Sequence, residues 1–251
     1  MENYNSNQLA PISEMTGVQI QEEWLDLCAQ ANELQLADDV RATFIAADVV
    51  GRLRDLMTEE VVNYYFMPLM GTRVGFLTDH DKPKDGKPQQ PYPWQVVRDC
   101  IIDAACAGLA PIKNQFNIIS GSMYPTKEGF THLLKKIGVK YFITSSGDKS
   151  ATGAQTAEIE CKIIYETPGD PQKKNFTYVA YPKKNAGSSL DQLKGKAERK
   201  AKKALYELIT GLDLGDADEE SSTPEDQETV VRTRREALRQ TVDRPAVEDL
   251  P

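Results

Sequence analysis

The sequence predicts an α+β domain in which a small antiparallel sheet with a β-hairpin packs against helices. Three observations predict it. Apolar residues recur at helical spacing in several segments before residue 107. Two short runs, 114–120 and 122–126, flank Gly121 as the arms of a hairpin flank a tight turn. Alternating segments between 139 and 180 then lead into one strongly amphipathic helix. The expected sheet has about five strands, and no internal repeat is visible.

The elements follow in order. Residues 17–36 place Ile20, Trp24, Leu25, Cys28 and Ala31 on one helical face. A second helix spans about 38–57, opened by Asp38 and Asp39. Thr58 can cap a third, short helix carrying Val61, Val62, Tyr65 and Phe66, which Pro68 ends. Residues 79–93 hold Lys, Gly, Gln and four prolines, a loop long enough to be either mobile or functional. Pro93 suits the first turn of a helix whose stripe is Trp94, Val97, Ile101, Ala104 and Ala105, with Gly108 as its stop. After the hairpin, Thr126 caps a helix with Phe130, Leu133, Leu134 and Ile137 at i, i+3, i+4, i+7, ended by Gly138. Strands follow at 139–145 and 157–166. Thr167–Lys174 reads as a turn, and Phe176, Tyr178 and Ala180 alternate in a further strand. Ser188 or Ser189 caps a final helix to about 210, with Leu190, Leu193, Ala197, Ala201, Ala204 and Leu208 inward.

The chain divides into a helical region 1–57, a core 58–211 and an acidic tail 212–251 expected to be disordered. The net charge is −8, yet it is segregated. Lys173–Lys203 holds ten Lys/Arg against two acids, whereas Asp213–Pro251 holds twelve acids against five arginines. The four cysteines form no CxxC pair and sit in apolar segments, so neither a zinc site nor a disulfide framework is expected. With two histidines, His80 and His132, the inventory for Ser/His/Asp catalysis is poor. No GxxxxGK[ST] loop is present to cradle a nucleotide. The polar start of the sequence and the lack of a long apolar run lead us to expect a cytoplasmic protein.

Residues 96–145 carry a resemblance. A helix ends in Gly108-Leu109-Ala110-Pro111, a hairpin spans Phe116–Tyr124, a short helix holds Glu128-Gly129-Phe130, and Gly138-Val139 steps into a strand. A long basic helix with Gly195-Lys196-Ala197-Glu198-Arg199-Lys200 comes last. In pattern and order, over about residues 58–210, this resembles the phage RecT/Redβ-type single-strand annealing recombinases. The chain departs from that pattern at Ser120-Gly121, where family hairpins often carry Tyr-Gly, and in the Pro/Lys loop 79–93. The resemblance implies a fold related to the Rad52 annealing core. It implies ATP-independent annealing in phage recombination and DNA repair, by a homo-oligomeric ring or filament. Single-stranded DNA and the annealed duplex would be its ligands, with a companion exonuclease or single-strand-binding protein as a further partner. No cofactor is required, Mg²⁺ entering only with the DNA.

Annealing needs phosphates neutralised and base edges left readable. Lys and Arg lining a groove do the first by counterion release, and aromatic faces hold bases by stacking. The candidate phosphate contacts are Lys113 and Lys127 beside the hairpin, Lys135 and Lys136 on the short helix, and Lys183 and Lys184 after the last strand. Lys196, Arg199, Lys200 and Lys203 on the final helix complete them. Tyr124 is the first stacking candidate, followed by Tyr141 and Phe142, although Phe116, Phe130 and Phe142 also read as core. For each lysine the competing role is an ordinary solvated face. Two rival readings remain. Asp148 with Glu160-Cys161-Lys162 is similar to the D…ExK arrangement of metal-dependent nucleases, in which alternation puts Glu160 and Lys162 on one strand face. An oligomeric structural or adaptor protein that does not bind DNA would make the basic cluster incidental.

Overall fold

The computed structural model describes residues 15–34, 40–84, 86–185 and 187–214. Asp38, Asp39 and the acidic tail beyond 214 lie outside the described residues. The fold is α+β: six α-helical elements and two small, mostly antiparallel sheets of three strands each, among the described residues.

Helices α1 (Gly17–Leu34) and α2 (Val40–Leu56) pair, and α4 (Trp94–Cys106) packs on both. Their shared cluster is Leu27, Ala31, Val49, Leu53, Leu56 and Ile102. The inward face of α1 therefore runs Ile20, Trp24, Leu27, Ala31. Leu25, expected on it, is 58% exposed. Leu27 lies i+3 from Trp24 and joins its stripe, whereas Leu25 is one residue, about 100°, round the helix. Helix α4 belongs to both cores, turning Ile102 to α1–α2 and Val97, Ile101 and Ala104 to the larger cluster.

Thr58 caps α3 (Glu59–Val61), its hydroxyl accepting from Val61 N–H at 3.4 Å. The helix widens into a π-type turn over Val62–Phe66 and tightens to a 3₁₀ turn over Met67–Leu69. Strand β1 (Leu77–Thr78) pairs in parallel with β2 (Phe116–Ile119), which pairs with β3 (Ser122–Pro125) in the expected hairpin. Ser120 (φ 52°) and Gly121 (φ 78°) both take the left-handed region that a two-residue turn demands. Phe76 and Phe116 stack at 5.1 Å beneath it.

The sheet expectation needs correcting. Strands β4 (Lys140–Ser145), β5 (Ile159–Thr167) and β6 (Asp170–Ala180) form a second sheet, separate from the hairpin. The free side of β2 is taken by β1, and α5 (Lys127–Lys136) intervenes between β3 and β4, so the two ladders are not joined. The turn before β6 is also shorter than expected, confined near Pro168-Gly169, because Lys174 already pairs with Tyr165.

On β5, Ile159, Cys161, Ile163 and Tyr165 point into the main core. The opposite face is open: Phe142 is 66% exposed, with Ile164 directly across from it. The core role considered for Phe142 is thus corrected; alternation sends Tyr141 and Ile143 inward instead. Phe116 and Phe130 are fully buried.

Helix α6 (Leu190–Thr210) closes the domain against α5 and the second sheet. Ser189 caps it reciprocally with Gln192, and Gly211 ends it at φ 75°. Its buried stripe is Leu193, Ala197, Ala201, Leu205, at a spacing of four. Leu190 and Leu208, expected inward, are 44% and 40% exposed. This rotation carries Lys202 and Lys203 into the protein.

Candidate nucleic-acid interface

The hairpin and the starts of α5 and α6 enclose an open groove of about 680 Å³. Each wall follows from local sequence. Thr126 caps α5, its hydroxyl accepting from Gly129 N–H at 3.1 Å. Gly129 lets that first turn press on the hairpin: a Cβ there would lie 2.0 Å from the Gln115 carbonyl oxygen. Asn117 and Tyr124 are cross-strand partners, so both side chains stand on the groove side of the hairpin while Phe116 and Ile118 fill the core. Lys113 (φ 57°) and Asn114 (φ 53°) enter the hairpin through two consecutive left-handed residues. Their N–H groups donate to Val74 and Gly75 carbonyls at 2.7 and 2.8 Å. Such backbone costs energy outside glycine and asparagine, and here it presents Asn114 to the groove.

The loop 79–93 is built into this frame. Asp79 accepts from Ser120 N–H at 3.1 Å and from the Tyr92 hydroxyl at 2.9 Å. The Tyr92 hydroxyl in turn accepts from Gly121 N–H at 3.0 Å, and His80 stacks on the Tyr92 ring at 4.0 Å. The loop thus braces the hairpin tip, and it contributes Lys82 to the groove.

Four cationic side chains line the groove, Lys82, Lys127, Lys196 and Arg199, against one acidic one, Glu128. The first turns of α5 and α6 both open onto it, through Thr126, Lys127 and Glu128 and through Gln192 and Leu193. Helix N-termini carry partial positive charge and unpaired N–H groups, so both add to the attraction for an anion. Arg199 is 8% exposed and its guanidinium lies 4.4 Å from the centroid of the Tyr124 ring. Lys127 pairs with Glu198 at 3.5 Å, and Ser145 donates to the same carboxylate at 3.4 Å. Asn114 Oδ1 and Asn117 Oδ1, both on groove-lining residues, are shielded from solvent and have no hydrogen-bond donor.

Of the eleven sequence candidates, the groove gathers four: Tyr124, Lys127, Lys196 and Arg199. Lys113, Lys135 and Lys136 form a second cluster around His132, where burial first and then these three lysines hold its imidazole below the usual range. Lys136 also donates to Asn32 Oδ1 of α1 at 3.0 Å. Lys183 is exposed, and its backbone bridges to Thr156. Lys184 is bound into its surroundings, 2.7 Å from both Asp148 Oδ2 and Ser150 Oγ. Lys200 is half-buried on α6.

Lys203 corrects the expectation of a solvated basic face. It is 7% exposed and pairs with Glu207 at 3.5 Å and Asp213 at 3.3 Å. Arg199 and Lys202 are buried as well, because α6 sits with its basic side partly against the domain and long side chains lay their stems on apolar surface. Lys202 reaches Thr131 Oγ1 at 2.8 Å and lies 5.5 Å from the Tyr141 ring centroid, which places Tyr141 inside the packing.

The D…ExK residues are engaged with their neighbours. Asp148 accepts from Ser150 and Glu158 N–H groups and pairs with Lys184. The bond with Lys184, followed by those from Ser150, holds its carboxyl well below the usual range. Glu160 pairs with Lys162 at 3.2 Å and Lys149 at 3.3 Å, and is held low chiefly by Lys162. No cluster of three His, Cys, Asp or Glu suited to a metal occurs among the described residues. No helix among them is long and apolar enough to cross a membrane.

Lys82, Asn114 and Asn117 were not sequence candidates. Lys82 had a signal, a lysine in a proline-rich loop beside a hairpin. The asparagines had none, since only three-dimensional burial distinguishes them. No protein-family model matches the chain, and no curated protein or solved structure does either.

Proposed function

We propose that the chain binds single-stranded DNA in this groove and anneals complementary strands without nucleotide hydrolysis, on a core of the RecT and Rad52 type. The observation that carries the reading is the convergence of Lys82, Lys127, Lys196 and Arg199 with two helix N-termini on one open groove, in a chain of net charge −8. An acidic protein that concentrates positive potential at one place attracts a polyanion there. Tyr124 backs Arg199 within the groove. The second cluster, Lys113, Lys135 and Lys136, offers a further phosphate contact outside the groove. A homo-oligomer would line several such grooves along one strand. An acidic tail, with a partner exonuclease or single-strand-binding protein, would modulate access.

The test mixes the full chain with two complementary fluorescent oligonucleotides, without ATP, across a salt series with and without Mg²⁺. Faster pairing at low salt with both strands intact is the expected result. Binding without faster pairing would remove annealing from the proposal and leave strand binding. Cleavage dependent on Mg²⁺ would replace it with the nuclease reading on Asp148, Glu160 and Lys162. Absence of binding at any salt would overturn the proposal in favour of a structural or adaptor role.

A further inference from the structure

The chain carries a polyanion of its own. Just past Leu214, where the described structure ends, seven of the thirteen residues 216–228 are Asp or Glu and none is Lys or Arg. The others are Ala, Ser, Thr, Pro and Gln, so the stretch has no large apolar side chain to dock on a core. What it offers a partner is negative charge.

The described residues show which way this stretch sets out. Gly211 ends α6 in the left-handed region and turns the chain, and Leu212 and Leu214 then pack on the main core. Between them Asp213 pairs with Lys203 at 3.3 Å. The backbone therefore runs back along α6 rather than away from it. The side of α6 that it meets leads to the groove. At about 100° per residue, Gln192, Lys196, Arg199 and Lys203 fall within one arc of about 60°. The first three line the groove, and the fourth already holds Asp213. From Lys203 to Lys196 is about 10 Å of helix. Four extended residues span about 13 Å, so the carboxylates from Asp216 onward come level with Arg199 and Lys196 without stretching the chain. Lys127, paired with Glu198 of the same helix, lies within reach of the remainder.

We propose that residues 216–228 lie in the groove of their own chain and compete with the DNA strand, which must displace them to bind. This rests on the reading of the groove as a strand-binding site and supplies its regulation. The tether holds the stretch near the groove at an effective concentration in the millimolar range. Each carboxylate–cation contact is nevertheless weak and screened. A competitor of this kind yields to a strand that meets all the groove cations at once and turns away smaller anions.

The experiment uses the full chain, first without DNA. A carbodiimide couples lysine to a carboxylate in contact with it, and peptide mass spectrometry locates the bond. Mixing isotope-labelled with unlabelled chains separates bonds within one chain from bonds between chains. Bonds from Lys82, Lys127 or Lys196 to carboxylates of 216–228 in the same chain are expected, with the exposed pair Lys174–Asp170 as the control. The control bond alone, or bonds from Lys113, Lys135 and Lys136 instead, would overturn the seating and leave the strand-binding proposal untouched. Bonds only between differently labelled chains would overturn it in favour of a neighbour's groove.

The second measurement adds a short unstructured oligonucleotide at low salt. With the seven carboxylates changed to Asn and Gln, the chain should bind it about tenfold more tightly, the size of two or three partly exposed ion pairs. Free peptide 216–228 should reverse that gain, and the same peptide with amides should not. If the substituted chain fails to fold, competition of the free peptide with the oligonucleotide on the unaltered chain gives the answer. Equal affinity of the two folded chains would overturn the competition. Groove bonds in a protein that binds no oligonucleotide in either form would overturn the strand-binding proposal and leave the seating standing.

Discussion

Replacing Lys196 by Gln tests the groove at the point where electrostatics and folding separate most cleanly. Lys196 is exposed, on the groove-facing side of α6, and Gln is nearly as good a helix former, so the fold should not respond. The effect on a strand follows from counterion release. Each single-strand phosphate neutralised contributes about −0.7 to the slope of log K against log salt. If the four groove cations each meet one phosphate, the wild-type slope is about −2.8, and raising salt fourfold costs about 50-fold in affinity. With Lys196 removed the slope becomes about −2.1 and the same step costs about 18-fold. Fluorescence anisotropy with an unstructured oligonucleotide, at several salt concentrations, reads both slopes. Lys183→Gln, exposed and not lining the groove, serves as the control. Equal slopes for wild type and Lys196→Gln would refute the placement of the strand, however tightly either protein bound. An equal loss for Lys183→Gln would refute its confinement to the groove.

Three further outcomes follow from the packing and charges. Glu198→Gln removes the carboxylate 3.5 Å from Lys127, so strand affinity should rise by about threefold at low salt, the size of a partly exposed ion pair; a lower affinity would show that Glu198 orients Lys127 rather than competing for it. Gly129→Ala drives a methyl group to 2.0 Å from the Gln115 carbonyl oxygen, and should destabilise by about 3 kcal/mol or prevent folding, read from the urea midpoint. Glu207 is raised to about 7 by burial, against the lowering effect of Lys203, with Asp213 adding to the rise. A raised carboxyl favours folding while protonated, so the native state loses stability as pH climbs from about 4.5 to 7, and Glu207→Gln should melt about 2–4 °C above wild type at pH 8 with the gap closing near pH 4.5.

How much of this was legible in the sequence differs by level. The helices and the hairpin were, because periodicity, Thr126 and Ser189 caps, and glycine stops at 108, 138 and 211 are local signals that the packing agrees with. The faces of α1 and α6 were less so. A stripe can be drawn through Leu25 or through Leu27, and only the partner helices choose Leu27. The same ambiguity buried Lys203 against Glu207 and Asp213, where a helical wheel put it in solvent. Splitting of the strands into two sheets was not legible, since the parallel pairing of two residues at Leu77–Thr78 leaves almost no pattern.

The site shows why gathering residues in sequence is a poor guide to gathering them in space. Ten basic residues between 173 and 203 look like one surface, yet they divide among a strand, a loop pinned by Asp148, a buried helix face and the groove. What concentrates charge at the groove is the meeting of distant segments: Lys82 from the proline loop, Lys127 from the start of α5, and Lys196 and Arg199 from α6. The proline loop matters most to that meeting. Asp79 and Tyr92 hold the hairpin tip by its two turn amides, and the hairpin holds Asn117 and Tyr124. Losing the Asp79 carboxylate would leave Ser120 N–H and the Tyr92 hydroxyl without their acceptor. The consequence would reach the groove through the hairpin, although Asp79 does not line it. A segment long enough to read as either mobile or functional is thus the brace of the wall on which the strand is proposed to lie.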